Sequence, residues 1–90
     1  MIHIVAYDLR EPSTPADYIR IIEAIKSYGF WLRLEQSAWL IESPKPHLRI
    51  RDELLPHIRP QDLLFVGQVS GASWNGMDGD RQSWLAARNW

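Results

Sequence analysis

The chain has 90 residues, 46% of them hydrophobic, with five Trp, no Cys and a formal charge of -1. Such a length makes one small domain, and a monomer of this size buries only roughly 60–65% of the surface its unfolded chain exposes, so pairing with a second copy would help. The balanced charge supplies no net positive field for a nucleic acid, the lack of Cys excludes a disulfide framework or a thiolate zinc site, and no stretch nears the roughly 20 apolar residues of a membrane span. With no basic and apolar leader at its start, a cytoplasmic protein without membrane contact is expected.

Ile2-His3-Ile4-Val5-Ala6-Tyr7 reads as a strand that runs straight into Asp8 and then Leu9-Arg10-Glu11-Pro12. A carboxylate at the end of a buried strand is held by the sheet while its oxygens reach solvent, which is what a metal or general-base site needs. The plainer alternative for Asp8 is a turn aspartate bonded to nearby loop amides. Thr14, Pro15 and Asp17 read as an N-cap, a first-position proline and a first-turn acid, so a helix is predicted from there to a C-cap at Gly29. Its inner face is Tyr18, Ile21, Ile22 and Ile25.

Alternation of Phe30, Leu32 and Leu34 with Trp31, Arg33 and Glu35, followed by Ala38-Trp39-Leu40-Ile41, predicts two antiparallel strands joined near Gln36-Ser37. Leu48, Ile50, Leu54, Leu55 and Ile58 form the stripe of a second helix, which Pro56 should end near Leu55. A turn at Pro60-Gln61-Asp62 leads to a fourth strand, Leu63 to Val69. Strand, helix, strand, strand, helix, strand is the order of a split βαβ unit, so the expected fold class is α+β. In detail this is a ferredoxin-like βαββαβ sandwich over residues 1–70, a four-stranded antiparallel sheet with two helices on one face.

The other face of that sheet is apolar too, with Ile2, Ile4 and Ala6 on the first strand and Leu63 and Phe65 on the fourth. Two helices cannot cover both faces, so a homodimer packed through the sheet is expected. Residues 71–90 form a Gly-rich C-terminal tail that ends in a short helix presenting Trp84, Leu85 and Arg88, and the expectation is that it packs at the dimer interface.

Tyr7-Asp8-Leu9, Tyr28-Gly29 and Arg33-Leu34-Glu35-Gln36-Ser37-Ala38-Trp39 together resemble the CRISPR-associated protein 2 family over about residues 1–69. The likeness is strongest to its small stand-alone, SinR-like relatives, and virulence-associated protein D is a more distant comparison. What the resemblance implies is a homodimer whose strand-end aspartates face each other across a cleft, with a magnesium-dependent endoribonuclease activity or a non-catalytic adaptor role that binds nucleic acid or protein. Carried over, Asp8 takes the metal position and shares Mg²⁺ with the partner's equivalent. Tyr7 and Arg33 join it as catalytic residues, and Arg10, Arg33 and Trp39 become contacts to RNA or DNA. There are two departures: Glu35 stands where the family has glutamine, and Ala16 to Lys26 lack its dense arginines. The tail after Gly71 has no counterpart in the family's final strand.

The remaining polar residues read more simply. Arg10 is a solvated arginine on composition alone, and Arg33 could as well pair with Glu35 or Glu42. His3, His47 and His57 share no metal-ligand spacing. Arg49, Arg51, His57 and Arg59 make either a local basic patch or the wet face of the second helix. Trp31 and Trp39, on strands, are expected in the core or an interface.

Overall fold

A computed structural model describes residues 1–90 as an α+β fold with a four-stranded antiparallel sheet and three helices. The elements are β1 (Ile2–Asp8), α1 (Pro15–Lys26), β2 (Trp31–Glu35), β3 (Ala38–Glu42), α2 (His47–Leu54), a 3₁₀ turn (Leu55–His57), β4 (Leu63–Val69) and α3 (Gly79–Ala86). The sheet order is β2-β3-β1-β4, which puts β1 in the interior and leaves β4 as an edge. None of the helices is long and apolar enough to cross a membrane.

Local chemistry explains the boundaries. Thr14 caps α1 in a reciprocal box, its backbone N–H donating to Asp17 at 2.8 Å while its hydroxyl accepts from the Asp17 N–H at 3.3 Å. The helix ends at Lys26, earlier than the glycine suggested, because the chain turns at Ser27 and Tyr28 before Gly29 takes a φ of +87°, a conformation that costs glycine little. Pro56 lacks an N–H, so α2 stops at Leu54 and tightens into the 3₁₀ turn.

Alternation along β1 sorts the apolar residues into two clusters. Val5 and Tyr7 join Trp39 and Ile41 of β3, and there they pack with Ile21 and Ile25 of α1 and Ile50 and Leu54 of α2. Each of these is buried, contributing roughly 1.5–3 kcal/mol through apolar area removed from water. Ile2, Leu32 and Leu40 sit at the alternate positions and pack with Leu85 of α3, flanked by Ile4, Leu34, Met77, Trp74, Trp84 and Trp90. The apolar surface that was expected to meet a partner is therefore covered at this end by the chain's own tail. Residues 71–90 were expected to pack across a dimer interface; here Leu85 is buried on the same chain's sheet, because the loop from Val69 is long enough to bring α3 back over it.

Arg88 locks the tail in place. Its guanidinium donates to Glu42 at 2.9 Å and lies 4.3 Å from the Trp84 ring centre. Arg81 donates to the Leu34 carbonyl at 2.9 Å, and the Trp90 indole donates to the Leu85 carbonyl at 3.1 Å. What remains uncovered is the β4 end of the same face, where Leu63 and Phe65 are 46% and 58% exposed.

Candidate functional site

Asp8 is the last residue of β1 and pairs with Leu63 of β4, so the sheet fixes its backbone. Its side chain is 61% exposed, and its one partner is the equally exposed Arg10, whose guanidinium approaches to 3.2 Å. No loop amide donates to it. That role falls to Asp62, whose carboxylate accepts from the backbone N–H of Arg10 and of Arg59, each at 2.9 Å.

Asp62 and Arg59 form a knot that the chain's pattern hinted at only as a turn. The Asp62 side chain is 1% exposed, and Arg59 donates to it from Nε and Nη2 at 3.0 Å. Arg59 also donates to the carbonyls of Pro12 and Arg10, both at 2.6 Å, tying the loop after Asp8 to the start of β4. The Arg59 guanidinium, reinforced by the two backbone donors, holds the Asp62 carboxyl down at about 2. The i, i+3 spacing of Arg59 and Asp62 around Pro60 was the signal in the sequence; nothing in it said that the pair would reach across to residues 10–12.

The other residues assigned to the site separate. Tyr7 and Asp8 are neighbours on a strand, so their side chains leave opposite faces of the sheet. Tyr7 is buried, its hydroxyl donating to the Gln36 carbonyl at 3.2 Å and accepting from the Trp39 indole at 3.3 Å. Arg33 pairs with neither Glu35 nor Glu42. It donates to the same Gln36 carbonyl at 2.8 Å and lies 4.9 Å from the centre of the Trp39 ring. Trp39 is completely buried, which corrects its assignment as a nucleic-acid contact, since no base can reach a ring with no exposed face. Tyr7, Arg33 and Trp39 thus brace the turn between β2 and β3 on the helix side, and the chain does not bring Tyr7 or Arg33 to Asp8's face.

The basic set near α2 is spent on partners as well. Arg49 pairs with Glu53 at 3.4 Å and Arg51 with Asp52 at 2.8 Å, while Arg59 belongs to the Asp62 knot. Glu53 accepts from the Tyr28 hydroxyl at 2.6 Å and from Lys45 at 2.9 Å, which lowers its carboxyl to about 2; burial and the same carboxylate push the Tyr28 phenol up. These side chains line a polar cleft of about 270 Å³ between α1 and α2. On the other face, Ile4, Leu34, Leu40 and Val69 of the sheet and Trp74, Met77, Leu85 and Trp90 of the tail enclose an apolar cavity of about 190 Å³.

His3 is fully buried with neither ring nitrogen hydrogen-bonded, and burial lowers its pKa. No three side chains of the metal-binding types gather anywhere in the chain. Asp8 stands with Arg10 beside it and not within a cluster of carboxylates. Two such carboxylates with substrate phosphate and waters would match the few protein ligands that Mg²⁺ takes. In comparisons with known proteins, the chain matches no family model and has no significant match among curated proteins.

Proposed function

We propose that this chain is a ferredoxin-like protein of the CRISPR-associated protein 2 kind, working as a homodimer that hydrolyses the phosphodiester bonds of RNA. One observation carries the reading: the Asp8 carboxylate stands on a rigid strand end with no structural duty beyond an exposed ion pair. Pairs of that type contribute about 0–1 kcal/mol, so the group is available to a ligand at little cost in stability. The strand order and the βαββαβ succession of the first seven elements support the ferredoxin-like reading.

The requirement for a second carboxylate supports the dimer. With the far half of the sheet face closed by the tail, the open Leu63 end beside Asp8 is the part through which two copies would meet. A divalent ion held there would supply Lewis-acid polarisation of the phosphate. The chain's own contributions are separate from it. Asp8 holds the ligand-facing carboxylate, Arg10 offers a guanidinium matched to phosphate, and the Arg59–Asp62 knot fixes the backbone of the loop that carries Arg10.

The second reading is a non-catalytic dimeric adaptor that binds nucleic acid or protein. It is favoured by the engagement of Arg33 with Gln36 and Trp39, which leaves no second arginine at Asp8. Cleavage of single-stranded RNA by wild type and Asp8→Asn, with Mg²⁺ and with EDTA, separates the two. The nuclease reading expects cleavage that needs both the ion and Asp8, with the thermal midpoint of Asp8→Asn within about 2 °C of wild type. Cleavage by neither protein, or by both alike, leaves the adaptor.

A further inference from the structure

The tail does not lie flush on the sheet it covers. Ile4, Leu34, Leu40 and Val69 form the floor of a cavity of about 190 Å³, and Trp74, Met77, Leu85 and Trp90 form its roof. Its mouth is at Ala72 and Ser73, both exposed, so entry needs only a shift of the loop between β4 and α3. Leu63 and Phe65, the part of the face left to a second copy, are not on its walls.

The walls decide what can occupy this space. Both indole N–H groups are engaged within the tail, Trp74 donating to the Gln82 side chain at 2.8 Å and Trp90 to the Leu85 carbonyl at 3.1 Å. In the floor, Ile4 pairs with Leu40 on one side and Gly67 on the other, and the Leu34 carbonyl accepts from Arg81. The chain's only buried side-chain polar atoms without a partner belong to His3, which precedes Ile4 on β1 and so points to the opposite face. Apart from the Ser73 hydroxyl at the mouth, the walls offer nothing to a water, which needs roughly two to four polar partners, and nothing to offset the desolvation of a charge. Apolar cavities of about 150 Å³ stay dry and bind benzene, so one of about 190 Å³ has room for a single ring with a short substituent.

We infer that the cavity is a binding site for a small, uncharged aromatic molecule, independent of whatever Asp8 does. The roof favours an aromatic over an aliphatic occupant. Its two indole rings, 6.1 Å apart at 38°, present ring surface for stacked or edge-on contact, and the Met77 thioether is a polarizable neighbour for a ring edge. Because the floor belongs to the sheet and the roof to the tail, an occupant touches both and binds only while the tail is docked. It therefore stabilises the folded, tail-closed chain by mass action. Burial of one ring without a polar anchor corresponds to a Kd on the order of 0.1–1 mM.

The test is titration of the full chain with benzene, cyclohexane and sodium benzoate, read by calorimetry, by thermal unfolding and by the NMR signals of the indole N–H groups. Benzene should bind once per chain and more tightly than cyclohexane, and benzoate should not bind. At ten times its Kd, benzene should shift the folding equilibrium about elevenfold and raise the melting midpoint by about 6–11 °C. The signals of Trp74 and Trp90 should move while those of Trp31 and Trp39, on the other side of the sheet, stay in place. Ala72→Phe, which fills the cavity from its mouth, should weaken benzene binding about tenfold or more without lowering the melting midpoint of the free protein. No saturable binding up to the solubility of benzene, benzoate binding as tightly as benzene, or shifts confined to Trp31 and Trp39 would overturn the site. Cyclohexane binding as tightly as benzene would overturn its aromatic preference. If Ala72→Phe fails to fold, the pattern of indole shifts in the wild-type chain decides alone.

Discussion

Replacing Asp62 with Ala should be among the most damaging single changes in this molecule, although the residue lies in a surface turn. Its side chain is 1% exposed and accepts four hydrogen bonds, two from backbone N–H groups and two from the Arg59 guanidinium. Deleting it strands those donors, and removing one partner of a buried ion pair costs about 3–5 kcal/mol. Arg59 is 24% exposed and keeps the carbonyls of Pro12 and Arg10, which places the expected loss near the lower bound, about 3 kcal/mol. For a domain of this size that lowers the melting midpoint by about 12–24 °C. The acid range carries a second signature. Folded, the Asp62 carboxyl sits at about 2 against an ordinary 3.8, so the unfolded chain binds the proton first as pH falls. Its contribution is complete above about pH 4 and is lost between there and pH 2. Urea unfolding followed by tryptophan fluorescence at pH 7 and pH 3 reads both effects. A loss below 1 kcal/mol for Asp62→Ala, or an acid slope unchanged in Asp62→Asn, would refute the knot as a stabilising element.

His3 adds an acid sensitivity of its own at a higher pH than the carboxylates. Buried and neutral, with a pKa below its ordinary 6.5, it lets the unfolded state take up a proton that the folded state resists, so stability should fall as pH drops below about 6.5. His3→Leu should flatten that slope and add about 1 kcal/mol by removing two unsatisfied ring nitrogens; an unchanged slope in pH-dependent denaturation counts against it. Leu85→Ala should cost about 2–4 kcal/mol by opening a cavity over Ile2, Leu32 and Leu40. Because the tail packs on its own sheet, the loss should be the same at low and high protein concentration, and a loss that vanishes at high concentration would mean the tail crosses to a partner.

Much of the fold was legible in the order of residues because its determinants are local. Thr14, Pro15 and Asp17 specify a helix start within four residues, Pro56 specifies a stop, and the two-residue alternation in Ile2 to Tyr7 and Phe30 to Ile41 specifies strands whatever they pair with. Asp8 was legible as an exposed strand-end acid for the same reason. What only the tertiary structure decided depends on contacts between residues far apart in the chain. Tyr7 and Arg33 were assigned to Asp8's side, yet strand alternation and the β2–β3 turn send them to the Gln36 carbonyl on the other face. Arg59 and Asp62 stand three apart, but their function as a clasp on residues 10–12 exists only once β4 lies beside β1. The tail tryptophans were read as covering a partner's sheet. Within the chain Leu85 is buried on its own sheet, a contact that the loop over residues 70–78 closes at less entropic cost than recruiting a second molecule.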